Sequence, residues 1–405
     1  MFLRHLPFLR AVTYYAFTAF GGPQGHMGMM IKTFVEKRHD VTEEELLEYN
    51  AFCQMMPGPS STQTVMLIAM KRGGVPLAIL SLLLWIMPAV LIMSAFSFLI
   101  TYIDTRNIQT TVFKYIQPMS VGFVCYAAAR MMKNSIKHVA TIGIMTGCLL
   151  VTLVLHQPWV FPALLVVAGV ISNFSDKRIP DPQHKPKKIN WMNLWLFGAL
   201  FLVAGALSLL ARTNNWQNAP LFNLFENFYR FGTIVFGGGQ ALQYLMLLQF
   251  VTRPRALGME PVVTTPELLT GFGIVQAVPG PVFSVCAYAG GLAMHHFGYG
   301  VGGQLFGSIL ATIAVFLPST LLLFFFFPIY QKLKQHVIIY RALEGINAAI
   351  VGIMWASGII LFQTMDFEWT NLVVVAITFA ILNFTKIPAP YVVIGWLLLG
   401  YTLNK

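Results

Sequence analysis

Residues 75–100 read VPLAILSLLLWIMPAVLIMSAFSFLI, without one charged side chain. About 20 apolar residues are enough for a helix to cross a bilayer. A membrane β-strand would alternate apolar and polar positions; this run is continuously apolar and predicts helix. The rest of the chain agrees: 405 residues, 57% hydrophobic, 10% charged, mean hydropathy +0.68. Soluble domains carry roughly 25% charged residues, so the fold class expected is an all-α polytopic membrane protein, with roughly ten to fourteen crossing segments by length. Arg4 and Arg10 interrupt the first apolar segment and no small-residue cleavage site follows, so no removable signal peptide is expected.

Lys and Arg number 26 against 15 Asp and Glu, a net charge of +11. In a multi-pass protein this excess belongs to cytoplasmic loops, and nucleic acid is not an expected partner. Cys53, Cys125, Cys148 and Cys286 are dispersed in apolar stretches with no CxxC or Cys/His spacing. No Walker A, HExxH or GxSxG motif occurs, and the His295-His296 doublet has no partner ligands at useful spacing. No metal, no cofactor and no enzymatic activity are expected.

The chain is duplicated. AFGGPQ at Ala19 to Gln24 returns as VFGGGQ at Val235 to Gln240, and Phe34-Val35 returns as Phe250-Val251. EELLEYNAFCQMMPGP returns as PELLTGFGIVQAVPGP, pairing Glu45, Gln54, Pro57, Gly58 and Pro59 with Glu267, Gln276, Pro279, Gly280 and Pro281. Gly73, Pro88 and Gly122 pair with Gly303, Pro318 and Gly352. The expected organisation is a first repeat over 1–174, a cytoplasmic linker over 175–190, an extra linking transmembrane helix over 191–212 and a second, inverted repeat over 213–405. The linker, SDKRIPDPQHKPKKIN, holds three prolines, five Lys or Arg and no apolar face. One unpaired crossing between two copies turns the second upside down. The charges agree, since the loop at Lys71-Arg72 is basic and its equivalent around His295-His296 is not. An inverted-topology repeat, with broken or re-entrant helices near the midplane, is therefore expected. Whether the GGP and PGP elements are hairpins or broken crossings is left open by the sequence, because both return the chain to the same side.

Proline and glycine inside apolar segments are costly, about 3 kcal/mol for an interior proline. Irregular backbone at membrane depth survives only where protein or a watery cavity covers it. Interrupted segments at matching places in two halves point to a transport site, and helix N-termini around it favour an anion. The candidate substrate-binding residues are Gly21, Gly22, Pro23, Gln24 and His26, then Gln54, Pro57, Gly58, Pro59, Ser60, Ser61, Thr62 and Gln63. Their second-copy partners are Gly237, Gly238, Gly239, Gln240, Gln276, Pro279, Gly280, Pro281 and Ser284. The duplicated glutamines Gln24, Gln240, Gln54 and Gln276 are expected to face the interior. His26, whose equivalent is Leu242, breaks the symmetry as a proton carrier, a direct anion ligand or a packing residue. Glu45 and Glu267 precede Leu-Leu at the start of the segments leading to PGP, as helix caps first and proton-coupling groups second.

FGGPQGH at Phe20 to His26, Phe34-Val35, QMMPGPSSTQ at Gln54 to Gln63, and in the second half FGGGQ and ELLTGFGIVQAVPGPVFS resemble the paired signatures of the chromate ion transporter family, in its long two-domain form. The resemblance covers both halves. It implies a multi-pass protein of the bacterial inner membrane that exports chromate and confers chromate resistance, built from two homologous domains of opposite orientation. Partners would be chromate or a sulfate-like anion and the lipid bilayer, with one fused chain as a complete transport unit and a homodimer left open. A dianion crossing 100 mV gains about 4.6 kcal/mol, which sustains a gradient on the order of a thousandfold. Export can then run on the membrane potential, with or without a proton gradient. Sulfate has the same charge and shape as chromate, so a sulfate or general oxyanion carrier is the alternative reading.

Overall fold

The computed structural model describes residues 2–104, 112–157, 159–173, 191–236, 239–329, 337–365 and 367–403, with backbone alone at 2, 3, 23, 24, 104, 329 and 337–340. The 175–190 linker therefore lies outside the described residues. All regular structure among the described residues is helical.

The first copy opens with α1 (Phe2–Thr18) and α2 (Gly22–Met30), the latter running on as a π-helix over Ile31–Lys37. Next come α3 (Glu43–Gln54), α4 (Ser60–Asp104), α5 (Ile116–Ser135), α6 (Val139–Val154) and α7 (Val160–Ser172). α8 (Met192–Thr213) is the unpaired apolar helix between the copies. The second copy repeats the plan. α9 (Ala219–Ile234) leads to α10 (Gly239–Leu247), a π-helix over Leu248–Thr252 and α11 (Arg253–Ala256). α12 (Thr265–Ile274) and α13 (Val285–His296) follow, then α14 (Gly300–Phe326), α15 (Val337–Gln363), α16 (Trp369–Phe384) and α17 (Ala389–Leu403). Even the π-turns recur in register, each holding one Phe-Val pair.

Four described helices are long and apolar enough to cross a membrane: Ser60–Ile103, Met192–Thr213, Gly300–Phe326 and Arg341–Gln363. Four shorter apolar helices accompany them. This is fewer than the sequence count of crossings, because that count treats every apolar stretch as a full span. Here the Gly and Pro breaks cut several stretches into helices of 9 to 17 residues. α4 itself is two rods, since Gly73 and Gly74 (φ +71°) leave helical geometry within it.

The opening elements are hairpins. Phe34, beyond the first break, packs against Phe8 and Tyr15 before it, with ring centroids 5.8 and 5.7 Å apart. Phe250 meets Phe228 and Phe231 in the same way at 5.5 and 5.7 Å. α3 and the first rod of α4 also run back to one end, where Lys71 pairs with Glu45 at 2.7 Å and Arg72 pairs with Asp40. Asp40 also holds Arg38 at 2.8 Å, and Arg38 donates to the Pro7 carbonyl. In the second copy His296 holds Glu267 at 3.2 Å and faces the Val262 carbonyl, while Val262 N–H donates to Phe250 O. Gln304, just beyond that cluster, reaches Ser97 near the far end of α4. From 75 to 97 a helix rises about 33 Å, so the two ionic clusters stand at opposite ends of the second rod of α4.

The longer helices interlock between copies. α15 packs against α6 and α7, and α5 packs against α16 and α17. Gly122 lets α5 approach Val375 O and Thr378, and its equivalent Gly352 lets α15 approach Met145 O. Met145 and Val375 differ by the same offset as the two glycines, so each copy makes on the other the contact it receives. A reciprocal exchange of this kind is what a two-fold relation requires.

Candidate functional site

Each hairpin ends in a tight reversal, and the four reversals meet. The Gly58 N–H donates to Val235 O at 2.7 Å and the Gly280 N–H donates to Ala19 O at 3.1 Å, so each PGP loop is bonded to the other copy's glycine break. Both glycines need positive φ, +109° at Gly58 and +119° at Gly280. Both also lie against the residue after a proline in the other copy's long helix: Ser319 after Pro318, and Ala89 after Pro88.

Between the reversals lies a cavity of about 20 Å³, lined by His26, Pro59, Ser60, Ser61, Gly239, Pro281, Val282 and Phe283. The residues present make its two walls unequal. The first copy supplies hydroxyls and an imidazole; the second supplies a glycine, a proline and two apolar side chains. The N-terminal ends of α2, α4 and α10 converge here, and Gly21 at the N-cap of α2 gives no side-chain cap. Free N–H groups and the positive ends of helix dipoles therefore face the same small space.

His26 is buried, and its Nδ1 lies 3.0 Å from Ser61 Oγ. With the Ser61 hydroxyl donating, Nε2 carries the hydrogen. Nε2 has no hydrogen-bond partner among the described residues. Trp85 stands edge-on to the imidazole at 5.2 Å and donates through Nε1 to Thr62 Oγ1 at 2.9 Å. Tyr15 stacks on Trp85 at 4.5 Å and donates to the His26 carbonyl at 3.3 Å. Trp85 and Tyr15 escaped sequence reasoning because both sit in apolar runs that read as packing; an indole N–H in such a run was the available signal, since a buried Trp needs an acceptor.

The remaining candidates divide. Gln63 donates to Pro57 O at 3.0 Å, bracing the PGP loop, while its Oε1 has no partner among the described residues. Ser284 is buried with its hydroxyl likewise unpartnered. Gln276 is buried and donates to Phe272 O at 3.4 Å, and Gln240 is half-buried. Gln54 departs from the expectation that the duplicated glutamines face the interior: its side chain is exposed and does not line the cavity. The reason is that α3 buries one face, through Leu46, Phe52 and Cys53, whereas α12 is buried nearly all round. Gly237, Gly238 and the side chains of Pro23 and Gln24 lie outside the described residues.

Glu45 and Glu267 are not brought to the cavity. Each closes a capping box, with Thr42 and Thr264 respectively, at the helix end away from the reversal. Nine residues of helix put Glu45 about 14 Å from Gln54. Hydrogen bonds from Lys71 and from the Thr42 N–H hold the Glu45 carboxyl below its ordinary value. At Glu267 burial pushes the other way, but His296 and Thr264 outweigh it and the carboxyl is again held down.

The chromate transporter family model matches residues 6–173 and 222–401. An uncharacterized transporter of Methanocaldococcus jannaschii is 23% identical over 390 residues, covering 95% of this chain and 91% of that one. The chromate transport protein of Cupriavidus metallidurans is 24% identical over 385 residues, 94% of this chain and 88% of its own. That of Pseudomonas aeruginosa is 22% identical over 350 residues, 85% and 78% respectively. No solved structure matches the chain.

Proposed function

The chain belongs to the chromate transporter family, and from that premise we propose that it exports chromate across the bacterial inner membrane through the cavity between the four reversals. The observation that carries this reading is His26 Nε2, buried and unpartnered among the described residues, beside the Ser60 hydroxyl at a cavity where helix ends converge. Such donors suit a tetrahedral dianion, since N–H and O–H donors to an anion are the stronger hydrogen bonds and α-helix N-termini add favourable dipole ends. In a negative-inside cell the potential drives a dianion outward.

The two copies act as an inverted pair, their hairpins entering from opposite faces. Ionic clusters at opposite ends of the second rod of α4 and the reciprocal Gly58 and Gly280 bonds support that arrangement. The cavity, at about 20 Å³, holds a water but not a dianion with four oxygens. Loading therefore needs one copy's hairpins to part from the other's, first toward one face and then the other. The first repeat over 1–174, α8 as the linking crossing and the second repeat over 213–405 are the units of this motion. His26 is the group placed for proton coupling, whereas Glu45 and Glu267 serve as caps.

The donor set reads charge and shape, so a general oxyanion carrier is the second reading. Chromate flux into proteoliposomes under an imposed potential, with and without excess sulfate, tests both. Saturable flux that sulfate barely inhibits supports a chromate exporter. Strong competition makes the protein a general oxyanion carrier, and no flux under any gradient ends the transport reading.

A further inference from the structure

We propose a second anion site, remote from the central cavity, in the pocket between the end of α6 and the start of α11. It has a volume of about 170 Å³ and is lined by His156, Gln157, Thr252, Arg253, Ala256 and Leu257. Four of these six side chains can donate hydrogen bonds, a guanidinium, an imidazole, an amide and a hydroxyl, and there is no carboxylate among them. None of the four has a side-chain hydrogen bond or ion pair among the described residues.

The contrast with the other end of the molecule makes this pocket informative. There the arginines are spent within the fold: Arg38 and Arg72 both pair with Asp40, and Lys71 pairs with Glu45. Here Arg253 has no acidic partner among the described residues. Arg253 lies within electrostatic reach of Arg230, whose own acidic partner Glu226 is bound at 2.9 Å. An unpaired guanidinium on an open pocket with no carboxylate in its lining creates a positive potential that a mobile anion satisfies. Both copies contribute to the pocket, His156 and Gln157 from the first and Thr252, Arg253, Ala256 and Leu257 from the second, so occupancy also ties α6 to α11.

The ligand class is a tetrahedral oxyanion. A guanidinium fork grips two of its oxygens, and the imidazole, amide and hydroxyl are free for the others. The volume leaves room for accompanying water, against a share of roughly 30 Å³ per molecule. The oxyanion is either free in solution or the phosphate of an anionic lipid headgroup. This site stands on its own geometry and does not depend on the transport reading.

The test is equilibrium binding of radiolabelled sulfate to the full-length protein in nanodiscs made of neutral lipid alone. The wild type is compared with the R253Q/H156Q double variant and, separately, with H26A. The expected result is a saturable, salt-sensitive component whose affinity falls at least tenfold in R253Q/H156Q and persists in H26A. R253K, which keeps the charge but loses the fork, should fall between them. Nanodiscs containing phosphatidylglycerol separate the sources. If that lipid removes the Arg253-dependent sulfate component, the headgroup is a competing occupant; if sulfate still binds, the free anion is. Sulfate binding unchanged in a folded R253Q/H156Q variant, or absent from wild type in neutral nanodiscs with no phosphatidylglycerol retained through Arg253, overturns the proposal. Loss of the component in H26A with retention in R253Q/H156Q would overturn it too, assigning all binding to the centre.

Discussion

The Gly58 amide donates to the Val235 carbonyl at 2.7 Å, and its counterpart in the other copy, Gly280, donates to Ala19 at 3.1 Å. These two bonds join the halves at the point where all four hairpins turn. G58A should lower the thermal midpoint markedly, by the equivalent of about 1–3 kcal/mol, because a Cβ there collides with Ser319 at positive φ. Adding S319G removes the collision but not the backbone strain, so the double variant should regain only part of the loss. Full recovery in a melting assay would show that φ at Gly58 is not constrained.

Replacing the donors should separate binding from folding. H26A and S61A each remove one partner of the 3.0 Å pair beside the cavity, and each should weaken chromate binding about tenfold or more while the protein still reaches the membrane. W85F keeps the ring but strips the bond to Thr62, so its effect should be smaller. Gln54→Ala, by contrast, should leave affinity nearly unchanged because that side chain is exposed. Equal losses for Gln54→Ala and H26A in a binding assay would move the site toward α3.

Acid should loosen the two capped ends. The Glu45 and Glu267 carboxyls are held below their ordinary values by Lys71 and Thr42, and by His296 and Thr264 against the effect of burial. A carboxyl whose pKa is depressed by folding contributes stability that is present above its unfolded value, about 4.3, and is lost as pH falls through the lower folded value. Melting midpoints should therefore drop below about pH 4, and E45Q/E267Q should flatten that drop. An unchanged pH profile in the variant would assign the acid sensitivity elsewhere.

Orientation is directly testable. Cysteines placed at Arg72 and at Phe297, one beside each ionic cluster, should react with an impermeant thiol reagent from opposite faces of the membrane. Labelling from the same face would rule out the inverted pair.

Much of this was legible in residue order. The apolar run at Val75 to Ile100 dictates helices in a bilayer, because no other backbone satisfies its own N–H and C=O groups there without closing a barrel. The duplication, the breaks and the capping role of Glu45 and Glu267 follow from spacing, since caps and reversals are local physics set by a few neighbouring residues. Other features depend on which distant side chains share one space. Trp85 reaches Thr62 and His26 only once α4 folds back past the first hairpin, and Gln54 and Gln276, equivalent by sequence, differ because one helix is covered and the other is not. Arg253 and His156 meet across the two copies with nothing in their spacing to announce it. Sequence by itself determined the helical class, the doubled plan and the places where helices break; only the tertiary structure decided that the broken segments are hairpins, which walls are polar and which cations stay unpaired, because those depend on long-range packing rather than on local backbone preference.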